Sequence, residues 1–231
     1  INHHVLAQWD ADGDIMSKPP LFTWYCAALS KVIGGFNETS LYLAGALAVL
    51  ATALLVFFHG RKYFGDAASF FGAAALLLSN PSIKLVHLAR TDGLFMLLVY
   101  TTATLALEAY RGRCSWFWFW FVAALSTLTK GPLGLVLGAG GLLSLLFARD
   151  DSRVRRAILL PNLLGVIFFA VVCGGWFFAA YRFAGEPLIA KLIGKELVGH
   201  AVEGGRGDMI GSKLHQPILY FLSRFGPWSV V

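Results

Sequence analysis

The chain has 231 residues, 57% of them hydrophobic and only 14% charged, with a formal net charge of +6, and its mean hydropathy is +0.67. Soluble domains carry about a quarter charged residues, so this composition excludes an ordinary water-soluble enzyme and points to an all-α, polytopic membrane protein. The cations sit in breaks between apolar runs and form no stripe on a soluble face, which argues against nucleic acid and for membrane lipid or a phosphate-bearing partner.

The first residues, Ile1-Asn2-His3-His4, offer neither the basic nor the apolar region of a signal peptide. With no initiator Met and an apolar run still open at Val231, the chain is expected to be an excerpt of a longer protein, lacking a first membrane helix and a C-terminal part. Trp9 to Asp14 resembles a calcium loop only superficially, because the closing Glu of that pattern is missing. Ser17-Lys18-Pro19-Pro20 then leads into Leu21–Ile33, too short to cross hydrocarbon. Trp24 and Tyr25 suit the headgroup region, so an interfacial helix opened by the prolines is expected there.

Apolar runs follow at Leu41–Phe58, Phe64–Leu78, Leu94–Leu107, Trp116–Leu128, Leu133–Ala148, Ala157–Ala180 and Ile218–Val231, about seven membrane helices. Three short breaks are rich in Lys and Arg: Arg61-Lys62, Arg111-Gly112-Arg113, and Arg149 to Arg156. Such loops mark the cytoplasmic side. The remaining breaks alternate to the outer side, giving one transmembrane module over residues 1–231, with an outer loop over 1–40 and a long outer loop over 181–216. The aromatic block Trp116 to Phe121 adjoins the inner interface and is expected to anchor there. Cys26, Cys114 and Cys173 stand singly among apolar residues and read as small buried hydrophobes.

The unusual polar residues gather on the expected outer side: Lys18, His87 with Arg90 and Asp92, Lys130 in the turn Thr129-Lys130-Gly131-Pro132, and Glu196, His200 and His215 in the long loop. A lysine below a membrane surface is costly unless it faces a wet or charged site. Converging cations beside apolar walls suit an amphipathic, phosphate-containing substrate. The plainer readings are an interfacial anchor for Arg90, a first-turn acid for Asp92, a snorkelling side chain for Lys130 and an ordinary loop residue for Lys18. No cofactor is called for by any motif; His200 and His215 with nearby acids admit a divalent metal, although their spacing fits no tight ligand pattern.

Lys18-Pro19-Pro20-Leu21 with Trp24, Tyr63-Phe64-Gly65, Asn80-Pro81, Arg90 to Asp92, Thr129-Lys130-Gly131-Pro132, His215-Gln216-Pro217 with Tyr220, and Pro227-Trp228 occur in an order that resembles the dolichyl-phosphate-mannose protein mannosyltransferase-like family. That family includes the bacterial aminoarabinose transferases of lipid A. The resemblance implies a C-type membrane glycosyltransferase (GT-C) fold and a polyprenyl-phosphate-linked sugar donor. It implies transfer with inversion to a protein or lipid acceptor on the extracytoplasmic face, in a bacterial inner membrane. Leu21–Ile33 would be a juxtamembrane helix, Lys18, Arg90 and Lys130 would face the donor phosphate, and Glu196 and His215 would lie in a loop closing over the sugar. The family's essential acidic pair falls in the first outer loop, and it is expected upstream of Ile1. Two rival functions fit the same composition: a secondary transporter, which would place its site near the midplane between repeats, and a non-catalytic lipid-binding scaffold.

Overall fold

A helix over Leu21–Ile33 (α1) has the bounds expected from the sequence. Pro20 is its N-cap, its carbonyl accepting from the Trp24 amide at 2.9 Å, so the second proline stands one position before the first helical residue. Phe22, Cys26 and Ser30 recur every four residues and bury one face. The computed structural model describes residues 18–131, 133–138 and 152–189. Regular structure in those residues is helical throughout.

Helix α2 (Glu38–Phe64) starts from a reciprocal cap: Asn37 Oδ1 accepts from the Ser40 amide at 2.9 Å, and Ser40 Oγ accepts from the Asn37 amide at 3.2 Å. Its buried stripe is made of small residues, Ala44, Gly45, Ala48, Thr52 and Ala53, with Val49 among them. Lipid removes most of the hydrophobic drive between helices, and small side chains gain packing by letting backbones approach. α2 breaks at Gly65, where the sequence pattern ran on as one apolar stretch from Phe64. Arg61 and Asp66, 3.1 Å apart, bridge that corner into α3 (Asp66–Leu78).

Ser79 ends α3 and caps a short α4 (Asn80–Val86), bent from α3 by 58°. The sequence showed only a polar break here; Pro81 in the first turn costs the helix no amide bond it would otherwise make. Next come α5 (Asp92–Tyr110), α6 (Trp116–Lys130), α7 (Leu133–Gly138), α8 (Ser152–Ala184) and α9 (Glu186–Ile189). Among the described residues, three helical segments are long and apolar enough to cross a membrane: Glu38–Phe64, Asp92–Tyr110 and Leu159–Ala184; the bent α3–α4 pair makes a fourth if it forms one span. Against the expected seven, α6 reaches only 15 residues, and the continuation of 133–148 past Gly138 and the run 218–231 lie outside the described residues.

Contacts fix the directions of the helices. Gly93 lies beside Gly45 and Ala48, while Glu108 meets His59 and Tyr63, so α2 and α5 run parallel. α3 returns alongside α2, with Gly60 beside Ser69 and Gly72 beside Val56. α6 runs back along α5, and α8 runs parallel to α6 through Trp120–Asn162 and the Phe121–Phe168 stack. A core of Phe22, Cys26, Ala44, Ala48, Leu94, Leu98 and Val122 ties α1 to α2, α5 and α6. The aromatic block is a packing surface more than an interfacial belt. Helical spacing turns Trp116 and Phe119 into a buried cluster with Ala106 and Ala109, and Phe117, Trp120 and Phe121 toward Phe168 and Phe169; Trp118 alone of the six is mostly exposed.

Candidate functional site

Asp92 is the first residue of α5 and Lys130 the last of α6. An acid at a helix N-terminus and a cation at a C-terminus each complement the local backbone dipole. Antiparallel packing of α5 on α6 brings these two ends together, and Lys130 Nζ donates to Asp92 Oδ1 at 2.5 Å. The ammonium also lies 5.5 Å from the centroid of the Phe95 ring, one turn along α5 from Asp92.

The side chains of Lys130 and Asp92 stay 35% and 34% exposed. At that exposure an ion pair is worth on the order of 1 kcal/mol, little enough for another anion to compete with the carboxylate for the lysine. Lys130 keeps this position because α6 stops at Gly131, whose φ of 80° is left-handed and whose amide donates to the Thr127 carbonyl at 2.8 Å. Thr129 and Lys130 thus close the helix, where the sequence reading began the turn.

Arg90 is exposed two residues ahead of Asp92, its amide turned onto the Leu88 carbonyl at 2.8 Å. Lys18 is exposed just before α1, with Pro19 and Pro20 buried behind it. Neither cation has an ion-pair partner among the described residues. The structure therefore joins Asp92 to Lys130, places Arg90 at the same end of the bundle, and leaves Lys18 ahead of α1 with no ion pair to Asp92. Glu196, His200 and His215 lie outside the described residues, and among the described residues no three His, Cys, Asp or Glu side chains converge as a metal site would require.

Two contributors had gone unnoticed in the sequence. Phe95 read as one more apolar residue of α5, yet it supports the ammonium. Gly45 read as one more small residue of α2, yet a Cβ there would stand 2.6 Å from the Leu85 carbonyl oxygen. That close approach seats the end of α4 against α2 and so sets the 87–91 segment that delivers Arg90 and Asp92.

Comparison with known proteins bears on this arrangement. A family model described as dolichyl-phosphate-mannose-protein mannosyltransferase matches residues 17–176. Two proteins of Aquifex aeolicus (strain VF5) that carry no functional name are each 28% identical, over 72% and 79% of this chain and 36% of their own length. Among solved structures, ArnT from Cupriavidus metallidurans superposes in its apo state with a TM-score of 0.63 at 23% identity, over 77% of this chain and 34% of that one. The same ArnT bound to undecaprenyl phosphate gives 0.62 at 25% identity, over 78% and 34%. The chain thus spans about a third of the length of the proteins it matches. The fold shared with ArnT is the helical GT-C fold expected from the sequence.

Proposed function

The chain belongs to the dolichyl-phosphate-mannose-protein mannosyltransferase family, and from that premise we propose that it forms part of a membrane glycosyltransferase taking its sugar from a polyprenyl-phosphate-linked donor. The observation that carries the reading is the Asp92–Lys130 pair, with Arg90 unpaired at the same end of the bundle. A second support is the likeness to a structure that holds undecaprenyl phosphate.

In this reading an acceptor hydroxyl, from a protein or from a lipid or glycan, attacks the anomeric carbon from the face opposite the phosphate. The new C–O bond forms as the old one breaks, the electron pair leaves on the polyprenyl phosphate, and the configuration inverts. Lys130 shifts from Asp92 toward the phosphate and, with Arg90 and Lys18, offsets the charge that grows on the leaving group. Asp92 holds Lys130 in place while the site is empty. A carboxylate from the wider protein takes the hydroxyl proton, and Glu196 and His215 belong to a loop over the sugar. The reaction faces the extracytoplasmic side of the inner membrane, because the loops at the far end of the bundle carry the dense basic clusters.

The test is transfer from a polyprenyl-phosphate-sugar donor by the full-length protein. Lys130→Ala should lower kcat about 100-fold, and Lys18→Ala should lower it by less, because that lysine is exposed and makes no ion pair with the described residues. Wild-type turnover in both variants would overturn the proposal, as would uptake of a soluble solute by proteoliposomes without any glycosyl transfer.

A further inference from the structure

The end of the bundle away from the Asp92–Lys130 pair carries a second polar cluster that the proposed reaction does not use. It lies about 24 Å from the first along α5, the 16 residues between Asp92 and Glu108 rising about 1.5 Å each. Its centre is Glu108. Tyr63 Oη donates to Glu108 Oε1 at 2.5 Å, and one Arg113 guanidinium nitrogen donates to Tyr63 Oη at 3.2 Å and to Glu108 Oε2 at 3.5 Å. His59 Nδ1 lies 3.7 Å from the same carboxylate. The Arg111 guanidinium carbon lies over the Tyr63 ring, 4.3 Å from its centroid.

Among the described residues the charges of this cluster do not balance. Arg61 is taken by Asp66 at 3.1 Å, whereas Lys62 and Arg113 both act electrostatically on Glu108 and Arg111 lies beside them on Tyr63. Three permanent cations therefore share one carboxylate. The contact with Tyr63 is made through the ring face, the Arg111 guanidinium has no carboxylate partner among the described residues, and such a fork suits phosphate oxygens. Phe64 and Tyr110, both substantially exposed, flank the cluster with apolar surface. An excess of oriented cations beside exposed aromatic side chains is complementary to a ligand with a phosphate head and hydrocarbon tails.

We propose that Arg111, Lys62 and Arg113, organised by Tyr63 and Glu108, form a binding site for the headgroup of an anionic phospholipid, separate from the donor site. Glu108 and Tyr63 are positioning residues here, and Arg111 and Lys62 supply charge that no described side chain pairs with. Cations that merely anchor a loop at the interface would bind lipid without choosing among headgroups; this site should choose.

The experiment is lipid retention by the purified full-length protein, read by native mass spectrometry, with phosphatidylglycerol and phosphatidylcholine of matched acyl chains. Wild type should retain phosphatidylglycerol about tenfold better, and Lys62→Gln combined with Arg111→Gln should bring the two lipids near parity, at about fivefold or less per cation. Arg61→Gln, which removes a cation already paired with Asp66, should leave the preference intact. Arg111→Lys keeps the charge and loses the fork; a loss of about threefold in preference would support the site without risk to folding. An unchanged preference in the double and Arg111→Lys variants would overturn the proposal, and so would an equal loss with Arg61→Gln. Displacement of the lipid by millimolar inorganic phosphate would also overturn it, by marking a site for free phosphate.

Discussion

At the scale of single residues, the pairing of Asp92 with Lys130 gives each residue an effect that depends on the other. If the carboxylate serves to hold the ammonium, removing it matters only while the lysine is present. Asp92→Asn should therefore lower transfer by the full-length protein, Lys130→Met should lower it further, and the double variant should resemble Lys130→Met alone. The coupling in such a cycle between touching residues is about 1 kcal/mol or more; additive losses would show that Asp92 acts independently of Lys130. Both residues stood out in the sequence, since a charge bordering an apolar run is expensive. Their contact did not, because 38 residues separate them and only the antiparallel return of α6 brings them together. Glu108 was missed for a related reason: one acid near the end of an apolar run looks like an interfacial residue, and its partners Tyr63 and Arg113 come from another helix and from the following loop.

At the scale of elements, helix bounds were legible where composition changes abruptly and illegible where it does not. Leu21–Ile33 is bracketed by two prolines and by Gly34-Gly35, so its ends could be read directly. The corner at Gly65 and the α3–α4 bend lie within or beside apolar sequence, and what sets them is packing. Gly45 is the clearest case. Its missing side chain lets the Leu85 carbonyl approach to a distance that no Cβ tolerates, and the obstructing atom belongs to the backbone, which cannot rotate away. Gly45→Ala should destabilise the detergent-solubilised protein by about 1–3 kcal/mol, read as a lowered Tm. Gly174 of α8 has no described residue within 4 Å of the equivalent position, so Gly174→Ala should be neutral or stabilise by a fraction of 1 kcal/mol through helix propensity. Equal effects at the two glycines would show that close approach at Gly45 is not what seats α4.

At the scale of the whole molecule, parallel α2 and α5 sort the polar residues into two sets at opposite ends. Asn37, Arg90, Asp92 and Lys130 gather at one end; His59, Arg61, Tyr63, Glu108, Arg111 and Arg113 gather at the other. This separation matches the alternation of loops read from the sequence, and it makes the crossing of a single helix testable. Thr39 in the first turn of α2 and Lys62 in the last are both exposed, and their 23-residue separation corresponds to about 35 Å, more than the roughly 30 Å of hydrocarbon. The native background should be quiet. Cys26 is buried, and burial pushes its thiol up to about 11; Cys114, half-buried in the α5–α6 connection, is also raised, by burial first and by Glu108 second. A raised thiol pKa leaves the neutral form dominant at pH 7.5, and only the thiolate reacts with maleimide. In intact cells a membrane-impermeant maleimide should label the Thr39→Cys variant and spare the wild type, while the Lys62→Cys variant should label only after permeabilisation. Labelling of both variants from one side would refute the crossing of α2, and the reverse pattern would place the Asp92–Lys130 pair at the cytoplasmic face, away from any extracytoplasmic acceptor.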